Sequence, residues 1–124
     1  MTYISSDWSE ITLVIPLNLR TRNYVGTIFG GSMYGAVDPM FMIMLIERLG
    51  SEYVVWDKAA TIRFKKPGNC KLFAHFIIQD EELKFIREVL ISKRSLDRVY
   101  MVDLKDAKGN IYATVEKTIY IRKK

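Results

Sequence analysis

Between Tyr24 and Leu49 the chain runs YVGTIFGGSMYGAVDPMFMIMLIERL, and from Asn23 through Ile46 its only charged side chain is Asp38. A run this apolar is far longer than a strand and lacks a polar stripe at 3.6-residue spacing, so it reads as a helix buried on nearly all sides. Whatever fold the chain adopts has to cover that helix. The lone carboxylate inside it needs a reason, because desolvation strains an ionised group that serves no purpose. A catalytic or ligand-orienting role supplies one; a capping or local hydrogen-bonding role beside Pro39 is the plainer alternative.

Gly30 and Gly31 fall near the start of this helix, where the first amide N–H groups lack intrahelical partners and carry the positive end of the dipole. Such amides are natural donors to an oxyanion. Pro39 lacks an N–H and presses on the carbonyl of Gly35, so a kink is expected between those two residues, with Asp38 at it. A membrane span needs about twenty apolar residues. Here Gly26, Gly30, Gly31, Gly35, Asp38 and Pro39 interrupt the run, and the uninterrupted part, Met40 to Ile46, is too short. Met33, Met40, Met42 and Met44 read as adaptable core filling.

At 124 residues the chain is expected to form a single domain over 1–124, small enough for a partner subunit to complete its core. Cys70 is the one cysteine and has no intramolecular disulfide partner. Met1 to Glu10 is polar and acidic where a secretory signal would be apolar, so a cytoplasmic protein is expected. Charge is uneven, with four Lys/Arg against six Asp/Glu in residues 1–62 and fifteen against eight in 63–124. The basic half suits a polyanion or a nucleotide-bearing ligand, or is simply solvated strand faces. No nucleic-acid motif accompanies it, so no nucleic-acid partner is expected.

In chain order, Met1 to Glu10 reads as a short cap or helical turn and Ile11 to Leu19 as a strand with Pro16 at an edge or bulge. The helix should stop at Gly50. Tyr53–Trp56 and Ala59–Phe64 read as one strand bulged near Asp57-Lys58, closed by a turn at Lys65-Lys66-Pro67-Gly68. Cys70–Gln79 is a further strand, and Asp80–Leu90 a short amphipathic helix with Asp80 as N-cap. Arg98–Lys105 and Ile111–Ile121 are strands joined by the turn Asp106–Asn110. The layout is α+β, a long helix covered by a curved antiparallel sheet.

Asn23-x-x-Gly26-Thr27-x-Phe29-Gly30-Gly31, followed seven residues later by Asp38, resembles the signature of hotdog-fold acyl-CoA thioesterases of the phenylacetate-pathway type. AATIRFKKPG resembles the strand after their central helix, and YATVEKTIYIRKK their last strand. The pattern GTxFGGSxYxAxDP is similar to an uncharacterised branch of that superfamily. The resemblance implies the hotdog fold, a long central helix wrapped by a curved antiparallel sheet. It also implies a site between two subunits of a homodimer or dimer of dimers. There Asp38 acts as base or nucleophile, Gly31 with Gly30 as oxyanion donor, and Asn23 as a polar orienter. The substrate is an acyl thioester small molecule, with coenzyme A as part of the substrate and neither cofactor nor metal required.

Phe29 stands where many relatives carry His, which makes the mouth of the site more apolar. A catalytically silent protein binding an acyl or coenzyme A ligand is therefore the alternative. Phe29 and Tyr34 suit a hydrophobic acyl or aryl group. Lys65 and Lys66, with Arg63, suit coenzyme A phosphates or are ordinary solvated charges. Asp57-Lys58 reads as a site-lining ion pair or a plain bulge. His75 falls mid-strand as a structural or surface residue, and Cys70 has no histidine at a suggestive spacing.

Overall fold

The computed structural model describes residues 2–15, 39–66 and 70–124. Their elements are β1 (Thr2–Ile4), β2 (Glu10–Ile15), α1 (Met40–Leu49), β3 (Tyr53–Phe64), β4 (Leu72–Ile77), α2 (Asp80–Ser92), β5 (Ser95–Lys105) and β6 (Ile111–Lys123). The six strands form one sheet in the order β1-β2-β4-β5-β6-β3, antiparallel at every pairing. The α+β layout expected from the sequence is the one observed.

The side-chain period of two decides which face is dry. Ile11, Leu13 and Ile15 of β2, Leu72, Ala74 and Phe76 of β4, and Ala113, Val115, Ile119 and Ile121 of β6 are all buried. They meet Phe41, Met44, Leu45 and Leu49 of α1, spaced three and four residues apart along one stripe. Met44 and Leu45 are wholly enclosed; each such side chain contributes about 1.5–3 kcal/mol by leaving water. A second amphipathic stripe, Leu83, Ile86 and Leu90 of α2, joins the same core.

The ends of the elements follow local chemistry. Helix α1 stops at Gly50 as expected, where φ is +89° and ψ −177°, a conformation nearly restricted to glycine. The Gly50 carbonyl then accepts the Tyr53 amide, which turns the chain into β3. Within β3 the pairing passes from Asp57 opposite Ile119 to Ala59 opposite Thr118, so Lys58 is the extra residue of the expected bulge. At the β5–β6 hairpin Asp106 accepts the Lys108 and Asn110 amides, each at 2.9 Å, and the Asn110 side chain at 2.9 Å. Those bonds, the Asn110 side chain first, hold its carboxyl down at about 2.

Several expectations change. The segment before Glu10 is not a cap or helical turn: it contains β1, which pairs with β2 through a tight connection. Asp7 organises that connection, accepting Ser9 Oγ at 2.7 Å, the Ser9 amide at 3.1 Å and Ser5 Oγ at 3.0 Å. Asp80 is the first helical residue of α2 rather than its cap; Gln79 occupies that position in extended conformation with no side-chain cap bond. Its carboxylate is instead taken by Arg48, which also donates to the Ile78 carbonyl and so ties the end of α1 to the start of α2. Pro16 to Leu19 and the kink expected between Gly35 and Pro39 lie outside the described residues.

Candidate active site

Of the residues singled out in the sequence, Asn23, Phe29, Gly30, Gly31, Tyr34 and Asp38 lie outside the described residues. What the structure fixes is the platform on which the head of α1 rests. Pro39 has helical torsions (φ −88°, ψ −5°), and its carbonyl accepts the Ile43 amide at 3.0 Å. Phe41, in the first turn, sits between two aromatic rings of the sheet. Phe76 of β4 meets it edge-on at 5.1 Å and Tyr100 of β5 stacks on it at 5.1 Å. Such contacts fix angle as well as distance.

Tyr100 is itself braced. Its hydroxyl donates to Glu82 of α2 at 2.7 Å, and Glu82 receives two further bonds from Arg98 at 2.7 and 2.6 Å. Burial and the bond to Glu82 push the Tyr100 phenol well above its usual range. Burial works to raise the Glu82 carboxyl, but the bonds from Arg98 and Tyr100 outweigh it and the net shift is downward. The hydrogen bond to Glu82, against a smaller opposing effect of burial, raises Arg98. This network stays in a single charge state through the neutral range, which makes it a rigid support rather than a proton donor.

Beside that support lies a charge the sequence reading overlooked. Lys117 of β6 points inward and is 1% exposed, with its Nζ 3.4 Å from Asp57 Oδ1. The Asp57 oxygen is sealed from solvent and meets Lys117 as an ion pair rather than through a hydrogen bond of good geometry. The signal was present in the alternation of the last strand, where Ala113, Val115, Lys117, Ile119 and Ile121 share one register. Asp57 and Lys58 do not pair with each other as one reading expected: Lys58 Nζ donates to Asp97 at 2.6 Å.

The cations proposed for phosphates are split. Arg63 and Lys65 line a cleft of about 280 Å³ with Thr61, Thr114 and Glu116. Lys66 turns instead onto the ring of Tyr112, 4.6 Å from its centroid. Next to Tyr112 opens a cavity of about 520 Å³ that Cys70, Lys71 and Lys108 also line. The Tyr112 hydroxyl bonds to Asp106 at 3.2 Å and accepts from Cys70 Sγ at 3.4 Å; the Cys70 contact, then burial, push its phenol upward. His75 is exposed on β4 and pairs with Glu10, in keeping with a surface histidine. Among the described residues no group of three or more His, Cys, Asp or Glu side chains is placed to hold a metal ion, and no helix is long and apolar enough to cross a membrane.

Solved structures share this architecture. A Pseudomonas aeruginosa protein of unknown function, called a probable thioesterase, superposes with a TM-score of 0.85 at 14% identity, over 94% of this chain and 78% of that one. A thioesterase from Haemophilus influenzae gives 0.69 at 13%, over 98% and 78%. A Chlorobaculum tepidum protein of unknown function gives 0.74 at 16%, over 94% and 78%. At such identities the likeness is one of fold, and the fold is the hotdog arrangement. No curated protein matches by sequence. Residues 1–121 match the family described as "Domain of unknown function (DUF4442)".

Proposed function

The chain belongs to the DUF4442 family, and from that premise and its hotdog fold we propose that it hydrolyses acyl thioesters, acyl-CoA in the first instance. The observation that carries the reading is the anchored head of α1. Phe41 is clamped between Phe76 and Tyr100, three residues after the lone carboxylate of an otherwise apolar run. The names of two of the structural neighbours support the same class.

The chemistry follows from the residue types. Asp38 takes a proton from water as its oxygen attacks the thioester carbonyl carbon, and the resulting oxyanion is held by the Gly31 amide with Gly30 beside it. Collapse of the tetrahedral species breaks the carbon–sulfur bond, and Asp38 returns the proton to the departing thiolate. A carboxylic acid and a free thiol result. Asn23 orients the water or the carbonyl, Phe29 and Tyr34 face a hydrophobic acyl group, and Lys65 and Lys66 meet coenzyme A phosphates.

A homodimer completes the site in this reading. Among the described residues β3 pairs with β6 on one side and with no strand on the other, a twelve-residue edge suited to a second copy. A cytoplasmic location fits the thioester substrate.

The test is release of free thiol from short, medium, long and aryl acyl-CoAs by wild type and Asp38→Asn side by side. Hydrolysis by wild type that falls at least about 100-fold in the variant is expected, the usual scale for a positioned general base. Activity that survives the substitution unchanged overturns the role of Asp38. Phe29, in place of a polar residue at the mouth, favours one second reading, a silent protein that binds acyl-CoA. That reading predicts no hydrolysis by either protein and a melting temperature raised by acyl-CoA.

A further inference from the structure

Where β4 begins and the β5–β6 hairpin turns, basic side chains gather that the proposed hydrolysis leaves without a task. Lys71 immediately precedes β4, Lys105 ends β5, and Lys108 sits in the Asp106–Asn110 turn. All three are exposed, and among the described residues none of them forms an ion pair. Lys66 lies at the same corner, its Nζ 4.6 Å from the centre of the Tyr112 ring. Asp106 stands among them, but its oxygens already accept the Lys108 and Asn110 amides, the Asn110 side chain and the Tyr112 hydroxyl. Cations of one sign held close together make a local field that favours an anion.

The cluster frames a hollow and not a flat patch. Lys71 and Lys108 line the cavity of about 520 Å³, a volume within the range of small-molecule sites. Its remaining wall is largely apolar and aromatic, built from Cys70, Phe73, Ala107 and Tyr112. An adjoining hollow of about 600 Å³ shares Phe73, Asp106 and Ala107 with it. Lys105 lines that second hollow and stands directly opposite Phe73 in the β4–β5 register. The frame is set before any ligand arrives. The Asp106 bonds hold the turn, Gly109 redirects it at φ +89°, and the Tyr112 carbonyl accepts the Lys65 and Lys66 amides at 2.8 and 3.3 Å. A site preorganised in this way loses little freedom on binding.

Charge and wall together select the ligand. A free phosphate would match the cations but leave the aromatic wall and most of the hollow unfilled. An uncharged acyl chain would match the wall and leave the cations unmatched. A ligand with a flat ring and more than one negative charge satisfies both, since bases stack on aromatic side chains and lysine ammonium groups suit phosphate charge. We propose that this cavity binds a nucleoside phosphate, its base against Phe73 and its phosphates at Lys71 and Lys108, with Lys66 and Lys105 adding to the field. Binding there requires no hydrolysis and does not involve Asp38.

Isothermal titration calorimetry of the full chain with ADP, coenzyme A, adenosine and inorganic phosphate provides the test. ADP should bind about tenfold or more tightly than adenosine or phosphate, and its affinity should fall as salt is raised. The double variant Lys71→Gln/Lys108→Gln and, separately, Ala107→Glu should each weaken ADP by about tenfold or more. These three positions are exposed, so both variants should keep the fold. Amide NMR shifts on adding ADP should centre on Lys71, Phe73, Lys108 and Asn110. Coenzyme A that binds more tightly than ADP, and is weakened by the same substitutions, identifies the ligand as the nucleotide end of a thioester carrier. Equal or weaker binding of coenzyme A identifies a separate nucleotide. If Asp38→Asn leaves hydrolysis unchanged, the hydrolytic mechanism falls and this site stands; if the site fails, hydrolysis is untouched. Absence of ADP binding at millimolar concentration, phosphate bound as tightly as ADP, affinities unmoved by the substitutions, or shifts centred elsewhere would each overturn the proposal.

Discussion

Glu82 shows how much one side chain can organise in this fold. It receives Arg98 twice and Tyr100 once, and Tyr100 in turn carries the ring on which Phe41 stacks. Its carboxyl lies below the ordinary value in the folded chain. Its contribution is therefore complete above the unfolded carboxylate range and is lost as pH falls through the folded value. Glu82→Gln should cost about 1–2 kcal/mol at neutral pH, a figure reduced for the partial exposure of both partners. The difference between wild type and variant in urea unfolding should then shrink when the melts are repeated near pH 3. An equal difference at both pH values removes the charge from the account and leaves only packing. None of these partners was legible in the sequence. Glu82 and Arg98 stand sixteen residues apart with no periodic relation, and their meeting requires α2 to lie on β5. Lys117 was nearer to legible, since it breaks an apolar register, but a lysine in an alternating strand reads as solvated until the inward face is known.

At the scale of elements, the sequence was most informative where backbone chemistry dictates a boundary. Gly50 ended α1, the bulge fell at Asp57–Ala59, and the β5–β6 turn formed around Asp106 and Gly109, each with a local physical cause. Gly50 gives the sharpest test. A Cβ added there meets no atom within 4 Å, so the cost of Gly50→Ala is backbone strain alone at φ +89°. A loss of about 1–3 kcal/mol in chemical unfolding is expected, with fold and site otherwise unchanged. A loss near zero would mean that the α1–β3 connection relaxes to another conformation. The elements that the sequence misplaced were short or capped by tertiary contacts. β1 has three residues and depends on pairing with β2, and its Ser- and Asp-rich connection resembles a helix start. Asp80 looked like a cap because the residue type fits, yet Arg48 claims its carboxylate from another helix.

For the whole molecule, the sheet has unequal edges. At one end β1 is three residues long, a short edge that offers little to a partner. At the other, among the described residues, β3 presents twelve residues along the edge, with Trp56 stacked on Tyr120 and exposed and Phe64 exposed near its end. Monomeric proteins seldom leave so long an edge uncovered. The sequence pointed the same way from the other side, through a central run too apolar for one small sheet to cover. If β3 pairs with its copy, unfolding is coupled to dissociation, and mass action makes the melting temperature depend on protein concentration. A hundredfold dilution should then lower the melting temperature by several degrees, and light scattering should give twice the chain mass at the concentrated end. A melting temperature independent of concentration, together with a single-chain mass, would mean that this edge is protected within one chain. The site would then have to be complete in a monomer.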